Sequence, residues 1–246
     1  MDLSEELKKI LFDAGASLVG FADIRNLYAE CLLDEPRSED SVTEMIHIPE
    51  YPYGVSIALA VPPQIITQIS EGPTRDYFNS YHDMNNCLDN LAELCSTYIS
   101  DKGFHAYAQT VNKTKEFGIF RTVMPHKTVA IHSGLGWIGK SALLVTPQYG
   151  TAIRLTSVLT DAPLRVDKPS EKSLCGGCMK CHDACPANAI SGNLWYPDTD
   201  RDNFFDAMAC RKKAREIAAA TLNEKITLCG KCIEICPYTQ KYILNR

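Results

Sequence analysis

Eight of the eleven cysteines lie in the last third of the chain, and their spacing limits what that third can fold around. The first set reads Cys175-x2-Cys178-x2-Cys181-x3-Cys185-Pro186. The second reads Cys229-x2-Cys232-x3-Cys236-Pro237, with Cys210 upstream of it. Steps of two residues let one loop wrap a cubane and present several thiolates to different irons. In two-cluster ferredoxins the fourth cysteine, the one before proline, ligates the other cluster. The spacing therefore predicts two 4Fe-4S clusters with crossed ligation. Cys175, Cys178, Cys181 and Cys236 hold one, and Cys185, Cys210, Cys229 and Cys232 hold the other. Cys210 enters by arithmetic: two cubanes need eight thiolates, the two motifs supply seven, and Cys210 lies between them. Zinc is the main alternative, but a zinc ribbon uses two separated Cys-x2-Cys pairs and has no use for a third cysteine or for Cys-Pro at each end. Disulfides need an oxidising compartment, and the N-terminus, MDLSEELKKILFDAG, lacks the apolar stretch and cleavage site of a secretory signal. A reduced cytoplasm is the expected location.

At 246 residues the chain is longer than a ferredoxin alone and suits one large or two modest domains. No run of about 18 apolar residues occurs, so no membrane span is expected. The net charge of −5 argues against a nucleic-acid surface, which carries a basic excess. Residues 162–174 (APLRVDKPSEKSL) carry two prolines and little apolar periodicity, which reads as a connection. The expected organisation is an α/β domain over 1–165 followed by a cluster module over 166–246.

Within the first part, Asp2 and Glu5 signal a helix start, with the helix running to about Asp13 and stopped by Gly15. Residues 17–23 and 54–62 read as strands, with 104–109 and 151–160 as further candidates. From Ser80 to Asp101 the positions Met84, Cys87, Leu88, Leu91, Leu94, Cys95 and Tyr98 follow the helical period, which places Cys87 and Cys95 on a buried stripe. Cys31 has no partner in the pattern. Alternating strands and helices imply a layered α/β (α+β) fold.

The run Gly134-Leu-Gly-Trp-Ile-Gly-Lys140-Ser141 satisfies two phosphate-loop patterns, G-x-G-x-x-G and G-x-x-x-x-G-K-S. Its context is poor for either. Trp137 and Ile138 are bulky for a loop that must approach phosphate, and Asp161 follows a strand candidate and sits before Ala-Pro in a turn. A nucleotide-gated iron–sulfur protein is thus a third-ranked reading, and a loop approaching another flat or anionic cofactor ranks above it.

HKTVAIHSGLGWIGKSALLVTPQYG, followed by the double cysteine motif, resembles the epoxyqueuosine reductase family, which is related in architecture to the reductive dehalogenases. AGASLVGFADI and the Tyr81-His82 pair add to the resemblance, which covers most of the chain. It implies a nitroreductase-like α/β domain holding a cobalamin without its lower base ligand, beside a two-cluster bacterial ferredoxin-like module that delivers electrons to cobalt. Gly134, Gly136, Gly139 and Lys140 would line the cobalamin pocket, with residues near Tyr149 to Arg154. Two departures stand out. Where the family's catalytic aspartate is expected, an ungapped count from Tyr81 lands on Thr110, and a hydroxyl cannot serve as a carboxyl of tuned pKa does. The family's helical-repeat extension, which helps hold tRNA, is also lacking, since this chain stops ten residues after Cys236.

Tyr81 is the candidate proton donor, as a tyrosine is in the related dehalogenases, against the alternative of a half-buried packing residue. His126 is a candidate cofactor contact, grouped with Arg121 and Lys127, against a solvated basic turn. His82 and His182 read more readily as structural, and Trp195 and Tyr196 as packing that shields the clusters. The favoured function is a cobalamin-dependent reductase of a small molecule, fed by ferredoxin or flavodoxin. The alternative is a non-catalytic electron carrier that reduces a partner enzyme.

Overall fold

The computed structural model describes residues 2–25, 27, 51–114, 116, 118–197 and 199–245. Cys31 lies outside them. The described chain divides into two compact units, each discontinuous in sequence. One comprises 1–59, 87–135 and 155–169; the other comprises 60–86, 136–154 and 170–246. The cluster motifs therefore share a unit with two segments from much earlier in the chain.

The first unit is built on a four-stranded sheet. Helix α1 (Leu3–Asp13) starts where the Asp2 carboxylate accepts from the Glu5 amide at 2.9 Å, satisfying one of the amides a helix start leaves open. Strand β1 (Leu18–Asp23) pairs with β2 (Tyr53–Ala60), from Leu18 opposite Ala58 to Asp23 opposite Tyr53. Strand β3 (Ala106–Ala108) pairs with the strand Ile153–Thr160, here β6, and the sheet order is β1-β2-β6-β3. Strand residues alternate between faces. Val19, Phe21, Val55, Ile57 and Val158 join Leu7 and Leu11 of α1 and Leu88, Leu91, Cys95 and Ile99 in the main core. Ala22 and Leu159 face the other way and pack with Met124 and Val129. Val129 lies on α4 (His126–His132), so helices cover both faces.

The long helix α3 (Arg75–Asp101) follows a short α2 (Pro63–Ile66) and begins five residues before the expected Ser80. The Thr74 hydroxyl accepts from the Tyr77 amide at 3.2 Å, which supplies the missed start signal. The expected buried stripe is corrected at two positions: Cys95 is buried, but Cys87 and Leu94 are exposed. The stripe runs 84, 88, 91, 92, 95, 99, and a residue one step before Leu88 is turned about 100° away from it.

Residues 162–168 do more than connect. Ala162 and Leu164 are buried in the main core. The Asp167 amide donates to Phe21 O at 2.8 Å, and its carboxylate accepts from Phe21 N at 3.0 Å and from Lys8 Nζ at 3.4 Å. Arg165 N donates to Ser4 Oγ at 2.8 Å. The segment closes the open edge of β1.

In the second unit, β4 (Trp137–Ile138) and β5 (Leu144–Val145) form a hairpin. The cysteine motifs supply two short helices, α5 (Lys180–Asp183) and α7 (Lys231–Glu234), separated by α6 (Ala207–Leu222) and followed by α8 (Pro237–Leu244). Both motifs share the pattern Cys-x-Lys-Cys-x-acid-x-Cys-Pro: Cys178-Met-Lys-Cys181-His-Asp-Ala-Cys185-Pro and Cys229-Gly-Lys-Cys232-Ile-Glu-Ile-Cys236-Pro. The early segment is stitched to them. Arg75 pairs with Glu224 at 2.9 Å and donates to Leu222 O at 2.6 Å, and Lys231 donates to Ser70 O at 2.8 Å.

Candidate metal centres

Two cavities lie in the second unit, and each is lined by cysteines. The first, of about 440 Å³ counting its mouth, is lined by Cys175, Cys178, Cys181, Cys232 and Cys236. The second, of about 380 Å³, is lined by Cys185, Cys210, Cys229 and Cys232. Thus the cysteine before each proline faces the cavity of the other motif. Cys236 reaches the first cavity because it immediately precedes α8, and Cys210 reaches the second from the first turn of α6. Cys232 borders both cavities.

Burial pushes these thiols up. Desolvation, reinforced by Cys175, Cys236 and Cys178, raises Cys181 to about 11. Desolvation with Cys185 and Cys229 raises Cys210 to about 11. Cys229 is raised by burial against a partial offset from the Lys231 amide, and Cys232 is raised furthest, by desolvation first and by Cys210 and Cys229 after it. Thiols crowded in this way accept cations by giving up protons.

This donor set fits a cubane. Among the described residues no three His, Cys, Asp or Glu side chains converge on a single ion. A tetrahedral zinc site requires that convergence, with each sulfur about 2.3 Å from one metal; a cubane requires four thiolates spread over four irons. Trp137 Nε1 is buried without an acceptor, and the ring packs among Val145, Cys175, Cys236 and Tyr238. An indole N–H left without a partner is costly. Tyr238 meets Trp137 edge-on at 5.0 Å and helps seal the first cavity.

Position by position, the glycine-rich run is closed by the protein itself. A Cβ on Gly136 would overlap the Val145 carbonyl, one on Gly139 would come within 2.7 Å of Val145 Cγ2, and one on Gly134 (φ +68°) within 2.6 Å of Lys168 O. Chain packing accounts for glycine at the three positions without a ligand. Lys140 and Gly139 line the first cysteine cavity.

Tyr81 lies half-buried on α3 with the Arg154 guanidinium 4.0 Å over its ring, and Arg154 Nε donates to Asn85 Oδ1 at 2.8 Å. Arg154 and Asn85 are partners that sequence reading did not supply. His82 is exposed and packs edge-on against Phe78 and Tyr81. His126 shares the Ser157 hydroxyl with Gln109, at 2.7 and 2.8 Å. Thr110 is buried beside Gln109, in the same unit as His126. His182 bonds Asp183 at 2.9 Å. Trp195 is buried as expected, but Tyr196 is exposed and shields nothing.

Residues 174–239 match the family described as a 4Fe-4S double cluster binding domain, and the chain carries that domain. An epoxyqueuosine reductase from Listeria monocytogenes is 27% identical, over 97% of this chain and 65% of that protein. Among solved structures, an epoxyqueuosine reductase crystallised with an epoxyqueuosine-modified tRNA-Tyr stem loop superposes with a TM-score of 0.63 at 22% identity, covering 97% of this chain and 65% of that one. A reductive dehalogenase whose structure suggests a mechanism for B12-dependent dehalogenation gives 0.67 at 18% identity, covering 96% and 32%. The chain spans about two thirds of the first two and about a third of the last. The expected fold stands: a mixed α/β protein of the architecture shared by these reductases, with a double-cluster module. No described helix is long and apolar enough to cross a membrane.

Proposed function

We propose that this chain is an iron–sulfur oxidoreductase that passes electrons through two 4Fe-4S clusters to a cobalamin and so reduces a small substrate. The observation that carries the reading is the pair of cysteine-lined cavities that share Cys232. When bound, the clusters supply one-electron transfer and the cobalamin a reducing centre. The similarity to a B12-dependent dehalogenase supports the cobalamin. The closed glycines do not, so no contact to a corrin is drawn from Gly134, Gly136 or Gly139.

The chain's own residues have defined parts. The eight cysteines hold the clusters in the crossed arrangement, and Cys232 shortens the route between them. Trp137, Val145 and Tyr238 keep water from the first cluster. With threonine at 110, the proton falls to the Tyr81 hydroxyl; Arg154 fixes the ring and sets a positive charge where the phenol turns anionic. Ferredoxin or flavodoxin is the proposed electron donor.

A second reading, an electron carrier for a separate corrinoid enzyme, is favoured by Thr110 and by the closed loop. Anaerobic reconstitution with iron, sulfide and hydroxocobalamin, followed by desalting and metal analysis, separates the two. About eight irons with bound cobalt support the reductase. About eight irons and no cobalt leave the carrier, and no iron removes both.

A further inference from the structure

Lys140 occupies the first cavity in a manner that the glycine-loop pattern does not account for. It is only 4% exposed, yet its ammonium has a thioether as its acceptor, Met179 Sδ at 3.4 Å. Among the described residues no carboxylate pairs with it. A buried cation without a counter-charge is unfavourable, and the cavity that Lys140 lines is also lined by Cys175, Cys178, Cys181, Cys232 and Cys236. The lysines of the second cavity differ. Lys231 is paired with Glu234 at 3.2 Å and Lys213 with Glu216 at 2.9 Å, so their charge is already balanced.

We infer that Lys140 is the internal counter-charge of the first cluster and makes it the more readily reduced of the two. The inference rests on the two-cluster reading above. A cubane with four thiolates is an anion that gains a further negative charge on one-electron reduction. A fixed positive charge against it favours the reduced form, and net charge near a cluster is one of the levers on its potential. The second cluster, whose lysines face carboxylates, receives no such bias. Electrons entering the module therefore settle on the first cluster. Lys140 acts on the cluster and touches no substrate, which makes it a tuning residue.

The test is a dithionite titration of the fully reconstituted chain, followed by EPR, with Lys140→Met and Lys140→Arg beside the wild type. The expected result is that Lys140→Met keeps its iron but loses about tenfold in the reduction equilibrium of one cluster, a fall of about 59 mV for one electron. The other cluster stays put, and Lys140→Arg stays close to the wild type. If Lys140→Met instead drops one cluster while Lys140→Arg holds both, the counter-charge is still required and the inference stands. Two unmoved potentials in Lys140→Met overturn it, as does equal cluster loss in both variants, which would make the residue a packing element. A wild type that takes up no iron removes the underlying two-cluster reading, an outcome distinct from loaded protein with unmoved potentials.

Discussion

Replacing Gly150 with alanine is expected to loosen the first metal centre without touching a ligand. Gly150 sits at φ +58° in a turn held by Thr146 N to Gly150 O at 2.8 Å and Gly150 N to Thr146 O at 3.0 Å. That turn is pressed against α8. A Cβ at 150 would overlap the Thr239 backbone nitrogen and lie 2.6 Å from Thr239 Oγ1 and from Tyr238 C. The left-handed conformation costs a residue with a Cβ about 1–2 kcal/mol, and pushing packed backbone aside costs about 1–3 kcal/mol more. The sum, about 2–5 kcal/mol, lowers Tm by roughly 2–4 °C per kcal/mol for a chain of this size. Because Cys236 caps α8, the displacement also pulls a ligand from the first cavity. Gly103→Ala is the control: its φ is +88° but nothing lies within 4 Å of the added carbon, so only the left-handed cost applies. Thermal unfolding and iron content of the two reconstituted variants are the assay. Equal Tm values, or full iron in Gly150→Ala, would refute the reasoning.

Cys232→Ala is expected to disturb both centres, since Cys232 borders both cavities, whereas Cys178→Ala disturbs the first alone; EPR of the reduced proteins distinguishes them. Tyr81→Phe and Arg154→Met should keep both clusters and lower substrate reduction, by about 10²–10⁴-fold if Tyr81 is the proton donor. Substrate-dependent reoxidation of the reduced protein reads this, and unchanged rates would assign Tyr81 to packing. The Glu6 carboxyl is held below its ordinary value by the Lys102 ammonium and the Tyr98 hydroxyl. A depressed pKa gives stability that is present above the unfolded value and lost as pH falls through the folded one. Glu6→Gln should therefore lower stability modestly at neutral pH, with the difference from the wild type closing as pH falls below about 4.5, measured by urea unfolding across that range.

The cysteine sets were legible because their spacing is itself the chemistry: a loop that steps by two can present ligands in only a few ways. Helix α1 and the paired strands were legible for the same local reason, since cap and alternation are written within a few residues. What was not legible depends on distant partners. Asp167 looks like linker charge until Phe21, 146 residues away, supplies the backbone it bonds. Lys140 was placed by resemblance in a cobalamin pocket, because its neighbour Met179 is brought to it only by folding. Arg154 over Tyr81 and Asn85 pairs residues from two separate segments, and no local pattern announces it. The early start of α3 was a local miss, with Thr74 offering the cap.

Crossed ligation is the centre of the account, and a double variant tests it most directly. Iron is measured after anaerobic reconstitution of Cys178→Ala, Cys236→Ala and the two combined. If both cysteines serve the first cluster, the double variant loses no more than either single one and keeps about four irons, with one intact EPR signal. If Cys236 instead belongs with Cys229 and Cys232, the double variant loses both clusters and its iron falls toward zero, which would contradict the arrangement of the two cavities.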